Sequence, residues 1–210
     1  TVHRAKVGDS VRVGVVEGCM GEAVVTGIDD REVRLRVDGL TEPAPAPLLL
    51  VACVALPRPP TLNKVLQQLT AMGVKRFHFF RSKRVEKSFW QSHALGDDEV
   101  QRQLRLGLEQ GRDTRTPQVQ WHRGFRAFVE EAVPSLLETV AAGYFAHVGA
   151  TRSCPSTSEE TMVVVGPEGG FIPSEVNRLE EAGLRSLSLG PRPLRVETAC
   201  VSLAARLGLS

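Results

Sequence analysis

The chain has 210 residues, 42% apolar and 24% charged, with a formal net charge of +2. That balance suits a soluble globular protein of one large domain, or one domain with a small module. No apolar run approaches the roughly 18 residues a membrane span requires, and no signal-peptide pattern is visible at the N-terminus.

Residues 6–38 alternate with period two: Val7, Val11, Val13 and Val15, then Val24 and Val25 with Ile28, then Val33, Leu35 and Val37. The pattern predicts a small antiparallel β module with turns at Gly8-Asp9, Gly18 to Gly21 and Asp29-Asp30. So few short strands are marginal alone, so the module either lacks upstream strands or leans on the next domain. The Pro/Ala alternation from Glu42 to Pro47 reads as a stiff linker. It divides the chain into a β module over 1–46 and a second domain over 47–210.

Beyond the linker the period changes. Leu49 to Leu56 predicts a buried strand. Thr61 then reads as the N-cap of a helix carrying Leu62, Val65, Leu66, Leu69 and Met72, stopped by Gly73. A strand at Phe77–Phe80 and a helix at Glu99–Gln110 follow. Next come a strand at Val119–Trp121, helical segments from Ala127 to Ala142 interrupted by Pro134, and a strand at Tyr144–Val148. The last stretch predicts strand Met162–Val165, helix Pro173–Ala182, strand Leu187–Leu189 and helix Val196–Leu207. Strands alternating with helices imply an α/β domain with a parallel sheet.

Charge is uneven along the chain. Residues 1–47 hold six Lys/Arg against eight Asp/Glu, and residues 75–126 hold twelve against six. In the second stretch Arg81, Lys83, Arg84, Arg112 and Arg115 accompany Phe77, Phe79, Phe80, Trp90 and Trp121. Cations with aromatic faces suit RNA, and a solvated basic face is the alternative. Cys19, Cys53, Cys154 and Cys200 form no C-x-x-C pair or zinc spacing, and read as reduced core thiols of a cytosolic protein. His3, His78, His93, His122 and His147 show no metal spacing with carboxylates.

Two loops carry the chemistry. Val163-Val164-Val165 runs into Gly166-Pro167-Glu168-Gly169-Gly170-Phe171. A strand that feeds a helix through glycines lets a ligand approach bare backbone N–H groups. No Lys-Ser/Thr pair follows, so this is no Walker A loop, and the G-x-G-x-x-G spacing is absent. About twenty residues on, Ser188-Leu189-Gly190-Pro191-Arg192-Pro193-Leu194-Arg195 opens into a helix with Glu197-Thr198-Ala199. Its prolines fix the loop before binding. Arg195 sits at a helix start, against the preference of the dipole, and either pairs with a nearby carboxylate or serves a ligand.

These two motifs, GPEGGF and SLGPRPLRVETA, resemble those of the SPOUT class of S-adenosylmethionine-dependent RNA methyltransferases. The likeness is strongest to the ribosomal RNA small subunit methyltransferase E family, which makes 3-methyluridine in 16S rRNA. Arg81-Ser82, Glu86-Lys87 and Glu109-Gln110 before Arg112 and Pro117 support it, and it covers about 48–210 well. The chain departs from the family loop at Pro193, where an aliphatic residue is usual, and at Val196, where threonine is.

The resemblance implies an α/β trefoil-knot methyltransferase domain preceded by a PUA-like β-barrel module, here partly truncated. It implies a cytoplasmic homodimer that needs no metal and acts on small-subunit rRNA. S-adenosyl-L-methionine would lie against Gly166, Glu168, Gly169, Gly170, Ser188, Leu189, Gly190, Leu194 and Thr198. Arg195 and Glu197 are the candidate catalytic residues, and Arg81, Lys83, Arg84, Arg112 and Arg115 the candidate RNA contacts. A non-catalytic RNA-binding or ribosome-assembly module with the same fold is the competing reading.

Overall fold

The strands of the chain form two sheets; the computed structural model describes residues 5–208. The first sheet is antiparallel, with β1 (Ser10–Gly14), β2 (Met20–Ile28) and β3 (Val33–Glu42) side by side in chain order. Its alternation buries Met20, Ala23 and Val25 and leaves Val33, Leu35 and Val37 exposed. The turn expected at Gly18–Gly21 falls earlier, because Met20 and Gly21 already pair with Gly14 and Val13.

The antiparallel sheet is tied by hydrogen bonds to the loop at 113–116. The Glu17 N–H donates to the Thr114 carbonyl at 2.8 Å, and the Thr116 N–H donates to the Glu17 carboxylate at 2.7 Å. Thr114 Oγ1 donates to the Gly18 carbonyl, and the Arg115 guanidinium donates to the Ala44 carbonyl at 3.0 Å. From below, Lys75 Nζ holds the same loop through Asp113 Oδ2 and the Arg115 carbonyl, both at 2.7 Å. The loop at 113–116, which carries the expected RNA contact Arg115, thus ties the antiparallel sheet to the rest of the chain.

The second sheet is parallel throughout, in the order β6-β5-β4-β8-β7-β9. Its strands are β4 (Leu50–Ala55), β5 (Arg76–Phe80), β6 (Gln118–His122), β7 (Ala142–Ala146), β8 (Thr161–Val165) and β9 (Arg185–Leu187). The central pair, β4 and β8, is buried at every position, as a strand covered on both faces must be. The expected strands at 144–148 and 187–189 each lie two residues further on than the observed β7 and β9.

The first helix, α1 (Pro59–Ala71), starts before the expected Thr61 cap. Arg58 takes the N-cap position and Pro59 and Pro60 fill the first turn, where a missing N–H leaves nothing unpaired. Gly73, at φ +95°, ends it in the left-handed region. Helix α2 (Asp97–Gly111) packs on α1. Two 3₁₀ turns, Lys87–Gln91 and His93–Leu95, carry no periodicity to betray them in the sequence. Pro134 shapes the next segment: α3 (Phe125–Ala127) widens into a π turn over Phe128–Ala132 and resumes as α4 (Val133–Leu137). Helices α5 (Pro173–Glu181) and α6 (Val196–Gly208) complete the domain. After β9 at the sheet edge the chain turns back, and α6 packs on α1, β4 and β8 at the centre.

The aromatic residues expected to face RNA are mostly core. Phe77, Phe79 and Phe80 are fully buried, Phe80 stacks on Phe128 at 4.2 Å, and Trp121 stacks on Phe79 at 5.0 Å. The thiols are all free. Cys53 and Cys200 are buried as expected, whereas Cys19 is exposed and Cys154 half-buried. His3 lies outside the described residues.

Candidate functional site

Strands β7, β8 and β9 are neighbours, and the loops leaving their carboxyl ends converge on one cavity. From the loop after β8 it is lined by Gly166, Pro167, Glu168, Gly170 and Phe171. From the loop after β9 come Leu189, Gly190, Arg192, Pro193 and Leu194. The loop after β7 adds Ala146, His147 and Val148, and α6 adds Val196 and Ala199.

Local rules set this geometry. At Gly166 a Cβ would lie 3.1 Å from the Phe171 ring, close enough that the ring would have to shift by a few tenths of an ångström. That ring is itself wedged among Phe80, Phe125 and Phe145, with centroids 6.3–6.4 Å apart. Gly170 and Gly190 adopt φ of +69° and +110° with open space beside them. The second loop is tied at its start, where the Ser188 N–H donates to the Arg152 carbonyl at 2.8 Å and Ser188 Oγ accepts the Gly190 N–H at 3.1 Å. The His147 N–H donates to the Leu187 carbonyl at 3.0 Å, which joins the loop after β7 to β9.

A buried carboxylate locks the first loop. Glu175 is only 4% exposed. It accepts the Ile172 N–H at 3.1 Å, the Lys83 N–H at 2.8 Å and the Ser82 hydroxyl at 3.2 Å. The first is the backward reach of an N3 glutamate to its own helix cap. The other two clamp the segment 82–83, in the expected RNA-contact stretch, to the start of α5. Arg84 adds a hydrogen bond to the Gly169 carbonyl.

A second, wider cleft adjoins the cavity and shares Glu168, Pro193, Leu194 and Val196 with it. Its other walls are Arg58, Pro60, Thr61 and Lys64 at the start of α1, with Arg195 and Glu197. The cavity measures about 150 Å³ and the cleft about 530 Å³. Arg58 Nε stands 3.7 Å from Glu168 Oε1, and Lys64 Nζ stands 3.4 Å from Glu197 Oε1. The Glu197 backbone N–H at the start of α6, then Lys64 and Arg195, hold the Glu197 carboxyl below the ordinary glutamate range despite partial burial.

Of the residues expected to bind the donor, Gly166, Glu168, Gly170, Leu189, Gly190 and Leu194 line the cavity. Gly169 and Ser188 flank it through the hydrogen bonds above, and the exposed Thr198 lines neither space. Arg195 and Glu197 face the cleft. Lys83, Arg84 and Arg112 are exposed, Arg81 is half-buried, and Arg115 is tied to Ala44. Sequence reasoning missed the loop after β7 and Lys64. Only the end of a predicted strand hinted at the first, and nothing local marks the second. Among the described residues no group of three or more His, Cys, Asp or Glu could hold a metal ion, and no helix is long and apolar enough to cross a membrane.

The fold and the site define an α/β domain with a cavity outside the carboxyl ends of a parallel sheet, the place where open sheets of this kind take ligands. The sequence profile of the RNA methyltransferase domain matches residues 44–208, and the chain belongs to that family. Among curated relatives it is 27% identical over 219 residues to the ribosomal RNA small subunit methyltransferase E of Mycobacterium bovis, covering 100% of this chain and 81% of that one. The Treponema pallidum protein of the same name is 22% identical over 208 residues, covering 97% and 78%. The crystal structure of the Neisseria gonorrhoeae enzyme of that name, bound to S-adenosyl methionine, superposes with a TM-score of 0.70 at 19% identity, covering 96% of this chain and 83% of that one.

Proposed function

We propose that this protein methylates a uridine ring nitrogen in small-subunit ribosomal RNA, giving 3-methyluridine, with S-adenosylmethionine as donor. One observation carries the reading: the two motif loops, separated in sequence, line a single cavity in a chain of the RNA methyltransferase family.

The residues fit such a donor. Val165, Phe171, Leu189 and Ala199 give apolar walls for an adenine ring, and the glycine backbones allow close approach. The open space beside Gly170 and Gly190 is where a side chain is missing and a bound group can lie. Glu168, at the rim, accepts hydrogen bonds and favours a positive ligand. When bound, S-adenosylmethionine supplies a methyl group on a positively charged sulfur.

The protein's own task is positioning and charge. Holding two reactants in line can supply up to about 7–11 kcal/mol of a barrier. Arg195, on the cleft wall, steadies the negative charge that grows on the uracil oxygens as the N3 proton leaves to water. Glu197 is held ionised, with its pKa lowered, so it is a weak base. It acts as a hydrogen-bond acceptor that orients Lys64 and the incoming nucleotide.

A trefoil knot belongs to the same reading, supported by the return of the chain from the edge strand β9 to the central position of α6. So do a PUA-like role for the antiparallel sheet, a β module over 1–46 distinct from the domain over 47–210, a homodimer and a cytoplasmic location, which follow the family resemblance. Calorimetry with S-adenosylmethionine and mass spectrometry of rRNA from a deletion strain test the proposal. Micromolar binding and loss of one methyl on a small-subunit uridine are expected. No binding with an unchanged methylation pattern overturns it and favours a non-catalytic RNA-binding module.

A further inference from the structure

We propose that the cleft between the start of α1 and the start of α6 is a subsite for an RNA phosphodiester next to the target base, gripped by Lys64. The inference rests on the methyl-transfer reading and deepens it by assigning residues that neither the motifs nor the family match single out.

Position comes first. In the sheet, β4 and β8 are neighbours whose connections leave in opposite directions, β5 and β6 to one side and β7 and β9 to the other. Open parallel sheets take ligands in the crevice at that reversal, outside the carboxyl ends of the strands. The cleft lies there, walled by Arg58 beyond β4 and Glu168 beyond β8.

Size and continuity come next. About 530 Å³ falls in the roughly 300–1,000 Å³ range of small-molecule sites. The cleft meets the donor cavity along Glu168, Pro193, Leu194 and Val196, so a nucleotide held here has its base at the cavity mouth.

Charge then names the ligand. The cleft carries three cations, Arg58, Lys64 and Arg195, against two carboxylates and no aromatic ring. Without an aromatic stacking surface its added grip is on an anion, the phosphodiester beside the base that Arg195 meets. Lys64 is 53% exposed at its side chain, and its contact with Glu197 is 3.4 Å long. A solvated pair of that kind is weak, so Lys64 can exchange it for a phosphate, to which an ammonium binds as a point charge. Glu197, itself only 12% exposed, keeps Lys64 aimed into the cleft until then.

The test uses the full-length protein, a uridine-containing single-stranded RNA oligonucleotide, and the variants Lys64→Gln and Lys64→Arg. Arg105→Gln, exposed on α2 with its guanidinium donating to the Gln101 carbonyl of the same helix, is the control. RNA binding is followed against salt and donor binding by calorimetry. Lys64→Gln is expected to flatten the plot of log affinity against log salt by about 0.7. It should raise the KM for RNA several-fold with kcat and donor affinity near wild type. Lys64→Arg restores the slope, and the control leaves it alone. A Lys64→Gln slope equal to wild type overturns the subsite while leaving methyl transfer standing, as does a fall in donor affinity that matches the fall in RNA affinity. Failure of the wild-type protein to bind S-adenosylmethionine removes the reading itself.

Discussion

Replacing Glu175 by glutamine tests whether one buried carboxylate couples the basic loop to the donor site. The two side chains have the same shape, so the change is one of hydrogen bonding. In the native protein Oε1 accepts the Lys83 N–H while Oε2 accepts the Ile172 N–H and the Ser82 hydroxyl. The best glutamine pose keeps its oxygen on Lys83 and donates its amide to Ser82 Oγ. The Ile172 N–H then faces an NH₂ group and loses its acceptor. An unsatisfied buried donor costs about 1–3 kcal/mol, and the lost charge assistance adds to it. About 2 kcal/mol corresponds to a fall in Tm of about 4–8 °C for a chain of this size. Thermal unfolding reads the total, and amide exchange locates it: Ile172 should lose protection while Lys83, β4 and β5 keep theirs. Glu175→Ala should cost more, since all three donors lose their partner. If Glu175→Gln melts within 1 °C of wild type with unchanged exchange at Ile172, the coupling is refuted.

Gly166→Val should abolish measurable donor binding and destabilise the protein by about 1–3 kcal/mol, because the new methyls push the Phe171 ring, which packs on Phe80, Phe125 and Phe145, toward the cavity it lines; isothermal calorimetry and urea melts check both. Stability should fall as pH drops below the ordinary histidine range. Burial first, then His122 and Arg76, lower the His78 pKa from 6.5 to about 4. The unfolded chain therefore binds a proton that the folded chain refuses. The stabilisation is whole above pH 6.5 and is lost toward pH 4, about 2 kcal/mol of it by pH 5. Urea midpoints at pH 7.5 and 5.0 measure this, and a His78→Asn variant should show a smaller difference. In native protein an alkylating reagent should modify Cys19 first. It should spare Cys200, whose burial pushes the thiol up to about 12, and Cys53, buried and raised further; peptide mass mapping distinguishes the sites.

The sequence by itself determined the alternation of strands and helices, because each element's periodicity is local. The buried runs of β4 and β8 and the stripe of Leu62, Val65, Leu66 and Leu69 are visible without any partner. It also determined the two motif loops, since glycines and prolines there restrict the backbone directly. Only the tertiary structure decided strand order, and with it that the ends of β7, β8 and β9 meet. Lys64 and the loop at 146–148 reach the site through that order, which no local pattern encodes. Phe77, Phe79 and Phe80 show the converse. Their spacing beside arginines suits stacking on RNA, yet a sheet covered on both faces takes aromatic side chains into its core, because burying that apolar area outweighs leaving it exposed for a ligand.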